Sequence, residues 1–187
     1  MAWLPLPAAL ECLLTVSAYS ADRYVGLSAP SPGSGFTTLD TAAHTITGAV
    51  DAAQAGETVW VTNGTYTLSA EIAISKGITI RSAEGAAVTI VDGQGSTRCF
   101  NLSHASAVLD GVTVTNGCHA SAGGGIYMTA GTVKNCTVAS NAVPTGAGDV
   151  YGGGIYLAGG LVTNCLVLNN YRARRAVGRG LLAAENV

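Results

Sequence analysis

Charge is scarce in this chain. Lys, Arg, Asp and Glu make up 11% of its 187 residues and the formal net charge is −2, so over most of its length it lacks the basic surface that nucleic acid requires. Aromatic residues are few, at 6%. Long apolar runs are missing too: Pro5, Pro7 and Glu11 interrupt the most apolar segment, and no transmembrane span is expected. Strong helix formers are thin; Val, Ile, Thr and Ala come in short runs between Gly, Asn and Ser, the pattern of strands and turns. No CxxC or close histidine pair supplies zinc ligands. The glycine clusters are not followed by Gly-Lys-Ser/Thr, which argues against a phosphate loop.

Repetition is what the chain does have. "GGGIYMTAGTVKNCTVASN", from Gly123 to Asn141, returns 29 residues later as "GGGIYLAGGLVTNCLVLNN", with eleven of nineteen positions identical and no insertion. The short runs "VWVTNG", "ITIRSAEG", "VTVTNG", "CTVASN" and "CLVLNN" can be laid over one another, with Val59, Ile78, Val112, Cys136 and Cys165 as first inward positions. A second set, "CFNL", "GIYM" and "GIYL", puts Phe100, Ile126 and Ile155 on one face. One such repeat cannot bury its own apolar face and must stack on its neighbours. The expected fold class is therefore all-β, a parallel β-helix.

The expected organisation has five parts. Residues 1–21, "MAWLPLPAALECLLTVSAYSA", read as a secretory signal with cleavage near Ser20 or Ala21, although no Lys or Arg precedes the apolar run. Residues 22–39 hold a strand and the linker "SAPSPGSG". A capping helix is expected over 40–56, with Ile46, Ala49, Val50 and Ala53 on one face, Asp40 or Thr41 at its start and Gly56 at its end. Coils fill 57–170. An atypical basic tail, 171–187, carries Arg172, Arg174, Arg175 and Arg179 where the period calls for another "GGGIY". It reads either as a basic cap or as a fragment's break in the pattern, the preferred reading, which would leave a terminal coil edge open to self-association.

The stretches "TITGAVDAAQAGETVWVTNGTY", "KGITIRSAEGAAVTIVDGQG" and "AVLDGVTVTNG", with the "GGGIY…NC" coils, resemble the right-handed parallel β-helix repeat proteins of the pectin-lyase-like superfamily, in particular large bacterial secreted or surface members. The resemblance runs from Arg23 to Asn170. It implies a secreted or cell-surface location and polysaccharide as a partner. It also brings an alternative function, polysaccharide lyase or glycoside hydrolase, the lyases with calcium held by carboxylates and an Arg or Lys as base. The fold alone decides none of this, because function lives in grafted sites.

Cleavage of a glycan needs acids converging on one face. The coils put forward Glu84, Asp92, Asp110 and Asp149, none at matching positions of adjacent coils; Asp92 and Asp110 precede glycines, where turns explain them, and Asp110 should stack near Lys134. Arg98 would join Asp92 and Asp110 as a suspect only if cleavage were seen. No complete catalytic site is expected, and no cofactor, calcium being the one ion the resemblance would bring. His104 and His119 sit beside serines and read as exposed loop residues. Asn116, Asn141 and Asn170 close successive strands and are expected to form a structural ladder, with Asn135 and Asn164 ahead of the repeated cysteines. Cys136 and Cys165 should form an interior stack, parallel side chains being badly aimed for a disulfide. Tyr127 and Tyr156 should point outward, one above the other, as the candidate contact for a sugar ring. The expected role is a structural, adhesive or glycan-binding surface module.

Overall fold

The computed structural model describes residues 21–144, 151–172 and the short strand Glu185–Asn186. Residues 1–20 of the expected signal segment, Asp149 and the tail arginines Arg174, Arg175 and Arg179 lie outside the described residues.

The chain winds into a parallel β-solenoid of about 4 turns. Each turn lays one short strand on each of three sheets. The first sheet stacks Arg23–Val25, Thr58–Val61, Thr79–Ser82, Val108–Asp110, Thr132–Lys134 and Leu161–Thr163 in that order. The chain then crosses to the third sheet, built from Gly64–Thr67, Thr89–Asp92, Thr113–Thr115, Thr137–Ala139 and Leu166–Leu168. It returns through the second, with Ile72–Ile74, Phe100–Leu102, Ile126–Met128 and Ile155–Leu157. All neighbours in these three sheets pair in parallel, as do Ala142–Val143 and Tyr171–Arg172 in a short extra ladder.

Alternation along three-residue strands decides what fills the interior. In the first and third sheets the middle residue points in, so Leu109, Val133, Val114 and Val138 are fully buried. In the second sheet the outer two point in: Ile72, Ile74, Phe100, Leu102, Ile126 and Met128 are fully buried. The stack of Phe100, Ile126 and Ile155 forms as expected, extended by Ile72.

The other expected overlay needs correction. Val59 lies against Ile80, not Ile78, and the column continues through Leu109, Val133 and Val162. Val112, Cys136 and Cys165 belong to a different column, each one residue ahead of the paired third-sheet strands at Thr113, Thr137 and Leu166. The coils visit two sheets with similar Val/Thr strands, and only stacking distinguishes them.

Left-handed residues make the corners. Gly111, Asn135 and Asn164 turn the chain from the first sheet to the third at φ of 73, 54 and 49°. Asn116, Ser140 and Asn169 turn it out of the third sheet at φ of 50, 58 and 53°. Glycine and asparagine tolerate this backbone best. The next column in is Gly117, Asn141 and Asn170, and here the ladder forms: Asn141 donates through Nδ2 to Asn170 Oδ1 at 2.9 Å and accepts from the Gly117 amide at 2.8 Å. Asn141 and Asn170 are buried. Asn116 is not a rung of it; it is exposed one residue earlier, and its Nδ2 donates to Asp92 Oδ1 at 3.1 Å. A second, outer ladder runs from Asn164 to Asn135 at 2.7 Å and from Asn135 to Asp110 at 2.6 Å.

The triple glycines pass directly under this ladder. A Cβ on Gly125 would meet Asn141 Cγ at 2.7 Å, one on Gly154 would meet Asn170 Cγ at 2.5 Å, and one on Gly124 would collide with the Ala142 carbonyl. Asparagine above and glycine below are one packing unit.

The N-terminal helix spans Ile46–Ala52, shorter than 40–56. Thr45 caps it, its hydroxyl accepting from the Gly48 amide at 3.2 Å. Thr41 is engaged in a turn with Thr38, their hydroxyls 2.8 Å apart, and Ala53 is already extended, so Gly56 lies beyond the helix end. The expected face is buried: Ile46, Ala49 and Val50 pack the helix against Arg23–Val25, Thr58–Val61 and Ile72–Ile74. Arg23 secures the first strand through Nε to Glu57 Oε2 at 2.8 Å and Nη2 to Oε1 at 3.0 Å.

Two outcomes are expected. Asn141→Ala leaves the Gly117 amide and the Val114 carbonyl without their buried partner and should destabilise the fold by about 3 kcal/mol, measured by urea unfolding. Glu57 is held below the usual carboxylate range by its bond to Arg23, against the opposing effect of burial. Its contribution is therefore complete above the ordinary carboxylate range and lost as pH falls through the lowered value. The stability difference between the protein and Glu57→Gln should shrink over that acid window and stay constant from roughly pH 6 to 8.

Candidate functional site

The outer face of the second sheet carries the most distinctive group of side chains. Its outward positions, in register, are Ala73, Asn101, Tyr127 and Tyr156. The two tyrosines stack as expected, ring centroids 5.0 Å apart and planes at 15°. Tyr151 tilts against Tyr156 at 6.3 Å and 46°.

Arg98 organises one end of this row. It comes from the corner ahead of Phe100 and is buried. Nε donates to the Gly123 carbonyl at 3.0 Å, Nη2 to Ala122 at 2.9 Å and Nη1 to Glu71 Oε2 at 2.8 Å. Its guanidinium also lies over the Tyr127 ring, 4.9 Å from the centroid. One face of Tyr127 is thus covered by a cation and the other overlaps Tyr156, which leaves the exposed Tyr151 and the outer part of the half-buried Tyr156 as the accessible aromatic surface. Glu71 completes the row, accepting from Asn101 Nδ2 at 3.3 Å through Oε1.

Beside the row opens a shallow cleft of about 410 Å³, lined by Glu71, Ser96, Thr97, Arg98 and His119 among others. His119 is partly buried rather than an exposed loop residue. Its Nδ1 lies 3.2 Å from Ser121 Oγ. Burial first, and then the positive charge of Arg98, lowers its pKa, with Glu71 opposing, so it is neutral at neutral pH. The cleft therefore combines hydroxyls, a neutral imidazole and a charge-compensated carboxylate.

The expected acids do not converge. Asp110, on the first sheet, is held by Asn135, by Arg81 Nε at 2.9 Å and by Lys134 at 3.6 Å. Burial pushes its pKa up, but these donors outweigh it and the net shift is downward. The ion pair with Lys134 is the expected one; the carboxylate is more buried than a surface pair would be. Asp92, on the third sheet, accepts from the Gln94 amide at 2.8 Å as a turn residue. His104 Nδ1 accepts from the Ser106 amide at 3.1 Å. Among the described residues no group of three or more His, Cys, Asp or Glu could hold a metal ion.

Sequence reasoning missed Glu71 altogether. Its signal was a carboxylate directly ahead of the inward Ile72, on the coil before that of Arg98, but the irregular early coils hid the alignment. Compared with known proteins, the chain matches no family model, no curated protein and no solved structure.

Arg98→Leu should remove the cation from the Tyr127 face, orphan two carbonyls and leave Glu71 without its ion-pair partner, held by Asn101 alone. The expected cost is about 2–3 kcal/mol in urea unfolding. Arg98→Lys should recover only part of it, because a point ammonium cannot reproduce the planar fork.

Proposed function

We propose that the protein is a secreted or cell-surface β-solenoid module that binds a neutral glycan on the outer face of its second sheet. The observation that carries this reading is the state of Arg98: it is buried, paired with Glu71 and turned onto main-chain carbonyls and a tyrosine face. A guanidinium so engaged is a poor partner for a uronate carboxylate, since drawing it away would strand buried acceptors. What the face offers is an aromatic surface at Tyr156 and Tyr151 beside amide, hydroxyl and imidazole groups. Sugars present apolar C–H faces and hydroxyl edges, which suit that combination. The cleaving alternative finds less support, because Asp92 and Asp110 lie on different sheets and are satisfied by neighbouring donors.

The test is a titration calorimetry series with neutral β-linked oligosaccharides and oligogalacturonate, each with calcium and with chelator. Neutral oligosaccharides should bind, independently of calcium, and Tyr156→Ala should weaken them about tenfold, the value of one aromatic contact. Preference for oligogalacturonate, or calcium-dependent release of unsaturated products, would overturn the reading.

A further inference from the structure

Cys136 and Cys165 stand at the same position of consecutive coils, one residue ahead of the paired Thr137 and Leu166. Their sulfurs make matching contacts. Cys136 Sγ donates to the Lys134 carbonyl at 3.1 Å and lies 3.8 Å from that of Leu109; Cys165 Sγ donates to Thr163 at 3.2 Å and lies 3.7 Å from Val133. Each sulfur thus sees the carbonyl two residues back and the carbonyl of the coil before. These matching contacts, at positions in register, set one sulfur over the other at close to the coil spacing, about 4.8 Å. Both thiols are free.

That separation does not suit a disulfide, which would have to draw the sulfurs to about 2.05 Å against the parallel ladder beside them. It does suit two thiolates on opposite sides of one ion. With metal–sulfur bonds of about 2.3 Å, a linear S–metal–S unit spans roughly 4.6 Å, twice that bond. We propose that Cys136 and Cys165 form a two-coordinate site for a soft monovalent cation, Cu(I) in particular, held between consecutive coils of the solenoid. Thiolates select such ions. The described residues bring no third His, Cys, Asp or Glu to the pair, as a linear site requires.

Binding displaces the protons of both thiols to solvent and forms two metal–sulfur bonds with no change of oxidation state. Access is through Cys165, which is only partly buried, whereas Cys136 is 2% exposed.

The fold supplies its own control. Val112 occupies the same column in the preceding coil and is fully buried, so valine is sterically suited to the position. The experiment is an anaerobic competition of the reduced full chain for Cu(I) against a chromogenic bicinchoninate chelator, using the native protein, Cys136→Val, Cys165→Val, the double variant and Cys118→Ser. The native chain and Cys118→Ser should each hold one tight Cu(I). Each single valine variant should lose that affinity on the order of 100-fold or more, because one ligand cannot replace a chelating pair. Circular dichroism melting confirms folding; if Cys136→Val fails to fold, Cys165→Val carries the comparison. Retention of the tight ion by a folded single valine variant, or native binding no stronger than that of the double variant, would overturn the site.

Discussion

In-register stacking at one strand spacing is the constraint on which the structure depends. Each coil lies about 4.8 Å from the next, so a residue at a given position is repeated almost directly over its counterpart. Whatever occupies a column must tolerate its neighbour at that distance. Apolar side chains do so by packing, as Ile72, Phe100 and Ile126 show. Asparagine does so because its amide both donates and accepts, allowing Asn141 and Asn170 to bond each other and adjoining main chain within the interior. No described buried side-chain nitrogen or oxygen is left without a partner. Glycine does so by having nothing to collide.

The same constraint shapes the chemistry available at the surface and edge of the core. Tyrosines in register are forced to overlap, which sets Tyr127 between Tyr156 and Arg98 and leaves Tyr156 and Tyr151 at the end of the row. Charges in register would repel, and the chain instead alternates signs: Asp110 lies between Arg81 and Lys134, with Asn135 supplying a further donor. Cysteines in register become a pair of sulfurs at a separation set by the backbone rather than by a disulfide. Each of these arrangements follows from one translation applied to a different side chain.

Much of the solenoid was legible in the chain because its signals are local. Alternation in "GIYM" and "GIYL" put Ile126 and Met128 inside and Tyr127 outside, and the repeat gave the correct partner for each. The helix face Ile46, Ala49, Val50 was correct while its ends were not, since Thr45 rather than Asp40 or Thr41 reached the free amide. Asn116 was misplaced by a single residue, between a left-handed corner and the inward rung, because both positions accept asparagine. The Val59 column failed for a similar reason: strands of two different sheets share the same Val/Thr pattern.

By itself the sequence determined a parallel β-solenoid and the inward or outward sense of its repeated strands. These depend on period-two alternation and on backbone preferences within a few residues. Only the tertiary structure decided register in the irregular early coils, the covering of Tyr127, and the meeting of Glu71, Arg98 and His119 at one cleft. Those three residues belong to different coils whose lengths vary. Their approach is set by how many residues each corner absorbs before the next strand docks, a quantity fixed by packing between coils and not by any local pattern.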